Sequence, residues 1–333
     1  MKVSTILTIL FFILALLASI GATSYYYVAS IKVAEENAFS HLESVAQSRA
    51  FHIETLLEQK EKATIQFSAS VVIEEFLLED KSDSTYNTKL EKINKRLSDT
   101  LNLYDSFYEI FILDENGKVV ATTNPQEAIG TDFSSYLLFL NAKTEPYTSN
   151  LHYEKEHKKI GFVMSAPIKK EESGEFLGVL VIRLDGNILN EITTDKTGLG
   201  ETGEIYLINS GGYIMTPLLF FDNAILTKKI DTINSRNCLI SETEKHVGHE
   251  PVEVFLDYRG EKVVGTHFSI LKRGWCLLVE IDEVEILGNQ RKLFQRVALT
   301  IIIYATIIIL LIGLLISRFI DERVILRKGI KRL

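Results

Sequence analysis

Two short motifs carry residue types that bind ligands in other proteins. The first consists of Gly198, Gly200 and Gly203, which have the G-x-G-x-x-G spacing of dinucleotide-binding loops. In those loops the glycines follow a strand and open a helix, whose N-terminus receives the pyrophosphate. Here they precede a strand-like run that starts at Glu204, so we interpret them as a tight linker and not as a nucleotide site.

The second motif is the histidine pair His246 and His249, with Glu250 beside it. Such a group could hold zinc for an outer-surface hydrolase, but zinc proteases present their two histidines on one face of a helix. Gly248 and Pro251 disfavour a helix at this point. We therefore expect an exposed loop and no metal site.

The two cysteines, Cys238 and Cys276, leave two alternatives open. They could form a disulfide in an oxidising compartment, whereas Cys276 lies in an apolar strand-like run and could equally remain a buried free thiol. The sequence shows no nucleophile elbow, no Cys and His pairing pattern and no phosphate-cradling loop. We expect no catalytic residue, no cofactor and no enzyme activity, so any catalytic output domain would lie outside this chain.

Composition narrows the class of protein further. Of the 333 residues, 46% are apolar and 24% are charged, and the net charge is −8. The apolar content is too high for a disordered chain, two cysteines are too few for a disulfide scaffold, and the acidic balance disfavours nucleic-acid binding. The mean hydropathy is nevertheless +0.12, which means that apolar residues are concentrated in part of the chain.

The apolar residues are concentrated at the two ends. Twenty-nine uncharged residues lie between Lys2 and Lys32, and another 21 begin at Val297. Because a helix needs about 20 apolar residues to cross a bilayer, we predict a transmembrane anchor at 1–31 and a second transmembrane helix at 295–317. A cleaved signal peptide is the alternative for the first, although its uncharged length exceeds the roughly 7–15 residues of a signal's apolar core.

The charges that flank the spans predict the orientation. The residues after the second span are mostly basic, which places that end in the cytoplasm by the positive-inside rule. Residues of about 32–294 are then extracytoplasmic, and without the terminal charges the chain holds 29 basic and 42 acidic residues. The basic residues of the tail are Arg318, Arg323, Arg327, Lys328, Lys331 and Arg332.

The extracytoplasmic region begins with helical periodicity and continues with strands. Apolar residues recur at spacings of three and four over 33–78 without Gly or Pro, and a second helix is predicted over 90–103, so we assign 32–104 to these helices. The period then changes to two, which predicts strands. The strand-like runs are Tyr108–Leu113, Lys118–Thr122, Ile160–Ile168, Phe176–Leu184, Glu204–Asn209, Tyr213–Thr216, Val252–Tyr258, Lys262–Phe268 and Gly274–Ile281.

An internal repeat divides the strand region into two modules. Glu109–Ala121 aligns without gaps on Glu204–Thr216 at an offset of 95, and each reads as strand, turn and strand. Val179–Asp185 aligns on Cys276–Asp282 at an offset of 97. Two nearly equal offsets in the same order predict a duplicated antiparallel-sheet module, with copies at 105–196 and 197–290.

The arrangement resembles a double-Cache extracytoplasmic sensor, the tandem PAS-like domain of bacterial and archaeal transmembrane signal-transduction receptors. Gly198–Pro217, GLGETGEIYLINSGGYIMTP, resembles the opening of the membrane-proximal module. Ala166-Pro167 with Leu177–Leu180 resembles the end of the membrane-distal module, and Gly274–Asp282 resembles the close of the proximal one. The resemblance implies an α+β fold, in which a long N-terminal helix and two tandem PAS-like antiparallel-sheet modules are flanked by two transmembrane helices. The tail, 318–333, resembles the start of a HAMP linker.

The resemblance also implies a small-molecule site in the distal module. Where the family's amino-acid-binding pattern has Arg-x-Trp-Tyr, this chain has Tyr136-Leu137-Leu138-Phe139, so capture of an amino-acid carboxylate by that route is not expected. The later tyrosine of the pattern matches Tyr153. The acidic residue near the end of the last strand falls near Arg183, with Asp185 two positions on.

Strand alternation extends this candidate site. Arg183 and Asp185 share one face of their strand, as do Phe162 and Met164 of theirs, although an exposed salt bridge or simple core explains these residues equally well. Arg183 could supply a cation to a ligand from a direction that the family pattern does not use. The candidate ligand-binding residues are Tyr136, Phe139, Tyr153, Phe162, Met164, Arg183 and Asp185.

The sequence thus predicts a two-pass protein of the cell membrane that senses an extracytoplasmic small molecule. It would pass a conformational signal to a cytoplasmic output of the sensor histidine kinase, diguanylate cyclase or chemoreceptor type that this chain does not contain. The alternative is a membrane-anchored regulatory partner, without its own ligand, that acts on a separate kinase or receptor. We expect membrane lipid and a second copy of the chain as partners, and no nucleic acid.

Overall fold

The computed structural model describes residues 3–124, 129–240 and 254–330, which form two compact units. One unit combines residues 1–38 with residues 283–333, and the other comprises residues 39–282. Helix α1, Val3–Ser68, contributes residues to both, and helix α7, Glu283–Ile330, belongs to the first. The histidine pair of 246 and 249 lies outside the described residues.

The first unit consists of two helices that are long and apolar enough to cross a membrane. Their most apolar windows are not buried against other parts of the protein, as expected for surfaces that face lipid. The ring of Tyr27 on α1 lies 4.2 Å from the ring of Phe294 on α7. These helices fit the two-pass arrangement predicted from the sequence.

In the second unit α1 packs through one face of small and aliphatic residues. The buried positions repeat at spacings of three and four, as in any amphipathic helix. The single helix predicted over 33–78 is wrong in one respect, because α1 ends at Ser68 and Ser70 is extended with a ψ of 123°. The shorter helices that follow are α2, Val71–Leu77, and α3, Tyr86–Leu101.

The distal module is built on an antiparallel sheet whose first strand lies beside its last. The strand order is β2-β1-β6-β5-β3, with the short β4 paired to β5. Helices α4, Leu137–Leu140, and α5, Asn187–Thr193, accompany the sheet. The strands are β1, Phe107–Asp114; β2, Val119–Thr122; β3, Tyr147–Thr148; β4, His152–Glu154; β5, Lys159–Lys169; and β6, Phe176–Asp185.

The proximal module repeats this arrangement with fewer strands, in the order β7-β10-β9-β8. The predicted strand at 213–216 is wrong, because the segment makes only isolated bridges. These bridges join Ile214 to Ile208 and Tyr213 to Lys229. The chain there divides its backbone hydrogen bonds between β7 and residues 228–230. The elements are β7, Glu204–Ile208; α6, Ile233–Ile240; β8, Val254–Leu256; β9, Lys262–Ile270; and β10, Trp275–Asp282.

Strand register and turn geometry agree with the internal repeat. Leu113 of β1 pairs with Val179 of β6, and Ile208 of β7 pairs with Cys276 of β10, which are the positions related by offsets of 95 and 97. The turns after β1 and β7 also match, since Asp114 and Asn209 each accept two backbone N–H bonds through their Oδ1 atoms. The module bounds of 105–196 and 197–290 stay a prediction, because both sheets lie in one compact unit.

Contacts of β10 tie the proximal module together and join it to the distal one. Cys238 on α6 and Cys276 on β10 form a disulfide, which decides between the two alternatives left open by the sequence. The Nε1–H of Trp275 donates to Asn150 Oδ1 at 2.8 Å, and its ring packs edge-on against Phe162 of β5. Both modules therefore share a buried boundary at the start of β10.

The turn glycine of the distal hairpin yields a test of how tightly that turn is packed. Gly117 has a φ of +82°, and a Cβ there would lie 2.7 Å from the Cα of Ser134. Gly260 has nearly the same φ, +83°, with nothing within 4 Å of its Cβ position. We expect Gly260→Ala to lose about 1–2 kcal/mol of unfolding free energy from backbone strain, and Gly117→Ala to lose about 1–3 kcal/mol more from the clash.

Chemical unfolding of the detergent-solubilised chain, followed by fluorescence of Trp275, measures both losses. Trp275 is the single tryptophan and is buried, so its emission reports the folded state. Equal losses in the two variants would contradict the tight packing of the first turn against Ser134.

Candidate functional site

Three strands of the distal sheet bring charged residues together in the protein interior. Glu109 of β1 lies directly opposite Arg183 of β6 in the strand register, and Glu154 closes the short strand β4. All three are buried, with Arg183 only 8% exposed. Charged groups are rarely buried to this extent unless they are paired, so this cluster, which we call the distal charge cluster, is the candidate site.

Arg183 bridges the two carboxylates. Its Nε atom lies 3.3 Å from Glu109 Oε2, and its Nη1–H donates to Glu154 Oε2. The guanidinium also lies 5.4 Å from the centre of the Phe111 ring, within the range of a cation–π contact. A planar fork that serves two acids and an aromatic face is a role for Arg that Lys does not fill.

Two histidines extend the cluster on the β4 side. His157, in the turn after β4, places Nε2 3.2 Å from Glu109 Oε2 and Nδ1 3.4 Å from Glu154 Oε2. His152 Nε2 lies 3.2 Å from Glu154 Oε1. The ring of Tyr108 lies 5.0 Å from the ring of His157, tilted by 59°. The site therefore brings carboxylates, imidazoles, a guanidinium and a phenol together in one cluster.

Burial and neighbouring groups shift the pKa values of Glu154, His152 and Tyr108. Burial acts to raise the pKa of Glu154, but the hydrogen bond with His152 and the charge of Arg183 outweigh it and leave that pKa lowered. The hydrogen bond with Glu154 raises the pKa of His152, against the opposing effect of burial. Burial, followed by the neighbouring charge of Glu154, raises the pKa of Tyr108.

The face of the sheet beside the cluster is occupied by aromatic and aliphatic side chains. Phe111, Phe133 and Phe139 pack there with Val163 and Val181. Because Val163 pairs with Arg183 across the strands, this apolar patch and the distal charge cluster lie on the same face of the sheet. The face is thus divided into a dry aromatic part and a charged part.

The structure distributes the predicted site residues over several places. Arg183 joins the charge cluster, whereas Asp185 is the last residue of β6, where it pairs with Lys159 at 3.2 Å. Phe139 is buried in the aromatic patch, and Tyr136 is exposed beside Phe133.

The remaining predicted residues lie away from this face. Phe162 and Met164 pair with Leu184 and Ile182, which alternation places on the opposite face from Arg183, so these two are not brought together with the cation. Tyr153 is exposed and faces the proximal module.

Tyr153 lines a cleft between the two modules. Its volume is about 580 Å³, and it lies between the β4–β5 hairpin and segment 217–227 of the proximal module. Most of the lining is apolar, from Ile160, Pro217, Leu218 and Phe221. The cleft is separate from the candidate site but shares the β4–β5 hairpin with it.

Sequence reasoning missed Glu109, Glu154 and His157. A signal for Glu109 was present, since Glu109 and Arg183 are each the single charge inside an apolar strand-like run. These two runs both belong to the repeat, and they become the strands that pair in the structure. Glu154 and His157 carry no comparable signal, because β4 is three residues long and shows no alternation.

Comparisons with known proteins identify the fold. No curated protein matches the chain. The sensor domain of the histidine kinase DctB from V. cholerae is 11% identical, with a TM-score of 0.55, and covers 74% of this chain and 98% of that one. The ligand-binding domain of the Campylobacter jejuni chemoreceptor Tlp3 in complex with 4-methylisoleucine is 13% identical, with a TM-score of 0.56 and coverage of 76% and 94%.

A third solved structure, the ligand-binding domain of the Pseudomonas aeruginosa PAO1 amino acid chemoreceptor PctC in complex with GABA, is 15% identical, with a TM-score of 0.50 and coverage of 74% and 100%. At these identities the likeness shows the fold alone. The sequence profile of the Cache domain matches residues 29–290, which is most of the chain and includes both sheets. The chain therefore belongs to the Cache domain family.

Proposed function

We propose that this protein is an extracytoplasmic sensor of a small molecule, anchored in the cell membrane by α1 and α7. The observation that carries the proposal is the distal charge cluster, a buried set of charged and titratable groups on one face of a Cache-family sheet. Similar folds bind 4-methylisoleucine in the Campylobacter jejuni receptor and GABA in the Pseudomonas aeruginosa receptor.

The charge of the cluster favours a ligand that carries an amine. Two carboxylates, Glu109 and Glu154, face one guanidinium, Arg183, so these three groups together carry an excess of one negative charge. An ammonium group would satisfy that excess and could displace Arg183 from one acid. The adjacent rings of Phe111 and Phe133 would cover the ligand's apolar part.

The disulfide supports the extracytoplasmic placement. Disulfides persist in oxidising compartments and are rare in the cytosol, and the bond between Cys238 and Cys276 lies in the sheet unit between the two apolar helices. The basic residues that follow the second apolar stretch, from Arg318 onward, then lie in the cytoplasm by the positive-inside rule.

Signal output is part of the same proposal. Strand β10 is followed directly by α7 in the chain, so a change in the sheet could pass to the second membrane helix. A histidine kinase, diguanylate cyclase or chemoreceptor output, reached through a HAMP-like linker and a homodimer of this chain, completes the proposal. No part of the sensor requires catalysis.

One observation favours the second candidate function, a regulatory partner without its own ligand. Arg183 is already paired with two carboxylates, and aromatic side chains fill the rest of the face. A site that is satisfied internally would need no ligand to be stable. Ligand screening separates the two functions.

The first prediction concerns the ligand. We expect primary amines and amino acids to raise the unfolding temperature of the full chain in detergent. At a ligand concentration of 100 times Kd, binding adds about 2.7 kcal/mol to the free energy of unfolding. N-acetylated forms of the same compounds should have no effect, because they lack the ammonium group. Trp275 fluorescence during heating provides the measurement.

Matched variants assign the effect to the distal charge cluster. Glu154→Gln should abolish the shift, while Glu156→Gln, an exposed acid on the same hairpin, should retain it. If no amine stabilises the wild-type chain, or if Glu154→Gln responds as the wild type does, the ligand proposal fails and the regulatory partner is favoured.

The second prediction concerns the stability of the cluster. Removing the cation with Arg183→Met leaves the buried carboxylates of Glu109 and Glu154 without their guanidinium partner, and breaking a buried ion pair in this way typically costs about 3–5 kcal/mol. The matched control is Arg236→Met, since Arg236 pairs with Asp231 at 2.9 Å on the surface, where such pairs contribute about 0–1 kcal/mol. Urea unfolding of both variants measures the difference.

The pH dependence predicts the direction in which the stability difference between the wild type and Arg183→Met changes. In the wild type the pKa of Glu154 is lowered, so its contribution to stability is complete above its ordinary value of 4.5 and is lost as the pH falls through the folded value. Arg183→Met removes the part of that dependence that the guanidinium causes, while the hydrogen bond with His152 keeps the rest, so the stability difference from the wild type should narrow on acidification. A gap that stayed constant with pH would show that lost packing, not lost charge pairing, causes the effect.

A further inference from the structure

The proximal module carries two acids where the distal module carries an acid and a base. Glu204 of β7 lies directly opposite Glu280 of β10. The repeat offsets of 95 and 97 make these the equivalents of Glu109 and Arg183. Glu204 is 6% exposed and Glu280 is 2% exposed. Like charges directly opposite each other on a sheet are destabilising, and burial in a medium of low dielectric increases that cost.

The partners of Glu280 are neutral. The hydroxyl of Tyr206 donates to Glu280 Oε2 at 3.0 Å, and Asn234 Nδ2 donates to Oε1 at 2.9 Å. Asn234 is itself held by His267, whose Nδ1 lies 2.9 Å from Asn234 Oδ1. None of these contacts brings a positive charge onto the Glu280 carboxyl.

The partners of Glu204 are also neutral. Its Oε2 accepts the backbone N–H of Leu219 at 3.0 Å and the hydroxyl of Tyr258 at 3.1 Å. A third carboxylate, Asp257, lies so close that one oxygen from each acid falls within 4.8 Å of the others.

The cation beside these acids is Arg259, which bonds to other groups. Its Nε–H donates to Asp257 Oδ2, and its Nη2–H donates to Asp282 Oδ1. The charged and titratable groups around Glu280 are therefore Glu204 and Tyr206 on β7, Asp257, Tyr258 and Arg259 in the turn after β8, His267 on β9, and Asp282 on β10.

We propose that Glu280 is a proton-binding switch of the proximal module: it holds a proton beside Glu204 in acidic to neutral surroundings and releases it to bulk water in alkaline ones. The neutral carboxyl removes the repulsion across β7 and β10. The inference relies on the extracytoplasmic placement of the proposed function and not on the ligand site of the distal module.

The direction of titration agrees with this geometry. Burial, more than the neighbouring charges of Glu204 and Asp257, raises the pKa of Glu280 to about 7, against the hydrogen bonds from Asn234 and Tyr206, which lower it. Burial likewise raises the pKa of Glu204. A group near this value changes charge within the range that a cell surface meets.

Loss of the proton has a defined structural consequence. Glu204 would then face a second carboxylate, and its own contacts hold Leu219 in segment 217–227 and Tyr258 in the turn after β8. Repulsion across the strand pair should weaken these two bonds first, because the Glu204 carboxylate itself makes them. Segment 217–227 also lines the cleft opposite Tyr153, so the switch would act at the boundary between the modules.

The effect on stability has a definite sign. The folded pKa of Glu280 lies above its ordinary value of 4.5, so its stabilising contribution is complete below 4.5 and is lost as the pH rises through about 7. The unfolding equilibrium constant should therefore rise with pH in this window because of Glu280, by at most about tenfold per pH unit for one proton.

Infrared difference spectroscopy of the full chain in nanodiscs, with EDTA present, tests the proposal directly. Between about pH 5 and pH 9, the wild type should lose the C=O stretch of one protonated carboxyl per chain, with a midpoint near 7. Glu280→Gln, which copies the neutral form, should lack this band and the pH dependence of stability described above. Glu261→Gln, an exposed acid nearby, should keep both.

Hydrogen exchange distinguishes the proposed switch from a purely structural role of Glu280, because a structural role would not make backbone protection depend on pH. After correction for the intrinsic pH dependence of exchange, residues 204–208 and 217–220 should become less protected above the midpoint in the wild type, but not in Glu280→Gln. A band that persists in Glu280→Gln, or a wild type without a titrating carboxyl, would overturn the proposal. Either result would leave amine-induced stabilisation intact, so the two proposals fail independently.

Discussion

The pairing of the first strand of each module with its last strand is the constraint on which the other features depend. β1 pairs with β6 and β7 pairs with β10, so residues that are more than 60 positions apart in the chain become direct neighbours. Because side chains alternate along a strand, a slip of one residue would move each buried charge to the opposite face. The register that fills the core with aliphatic residues therefore also positions Glu109 opposite Arg183 and Glu204 opposite Glu280.

The two modules meet the cost of a buried charge in different ways at equivalent positions. In the distal module the guanidinium of Arg183 offsets the desolvation of Glu109 and Glu154. In the proximal module Glu280 stands at the position of the distal cation, and under our proposal a proton takes over the role that the guanidinium has in the other copy. Under the two proposals, one framework would support two kinds of chemistry, the recognition of a charged solute and the binding of a proton.

Most of the secondary structure could be predicted from periodicity, because a long strand or helix repeats its pattern of apolar residues several times. β5 and β6 begin and end within one residue of their predicted runs. The break after Ser68 could not be found, since no Gly or Pro marks it and Ser70 becomes extended only in the tertiary context. The strands β3 and β4 were missed because two or three residues cannot show alternation.

The site was harder to predict than the fold for a related reason. Arg183 was identified, but its partners depend on the register of β1 and on the pairing of β4 with β5, which no local pattern specifies. Phe162 and Met164 were grouped with it by alternation within one strand, whereas the pairing across strands places them on the other face. Tertiary contacts, not residue types, decide which polar groups meet.

A chain of contacts links the distal charge cluster to the acid pair Glu204 and Glu280. It indicates how ligand binding and proton binding would be coupled. Glu280 lies opposite Glu204, Glu204 holds Leu219, and segment 217–227 faces Tyr153 across the cleft. Tyr153 precedes Glu154 on β4, and Glu154 is bonded to Arg183. A ligand that moved β4 would therefore change the environment of segment 217–227, and through Glu204 the proton affinity of Glu280. Thermodynamic linkage is reciprocal, so the factor by which ligand changes proton affinity equals the factor by which the proton changes ligand affinity.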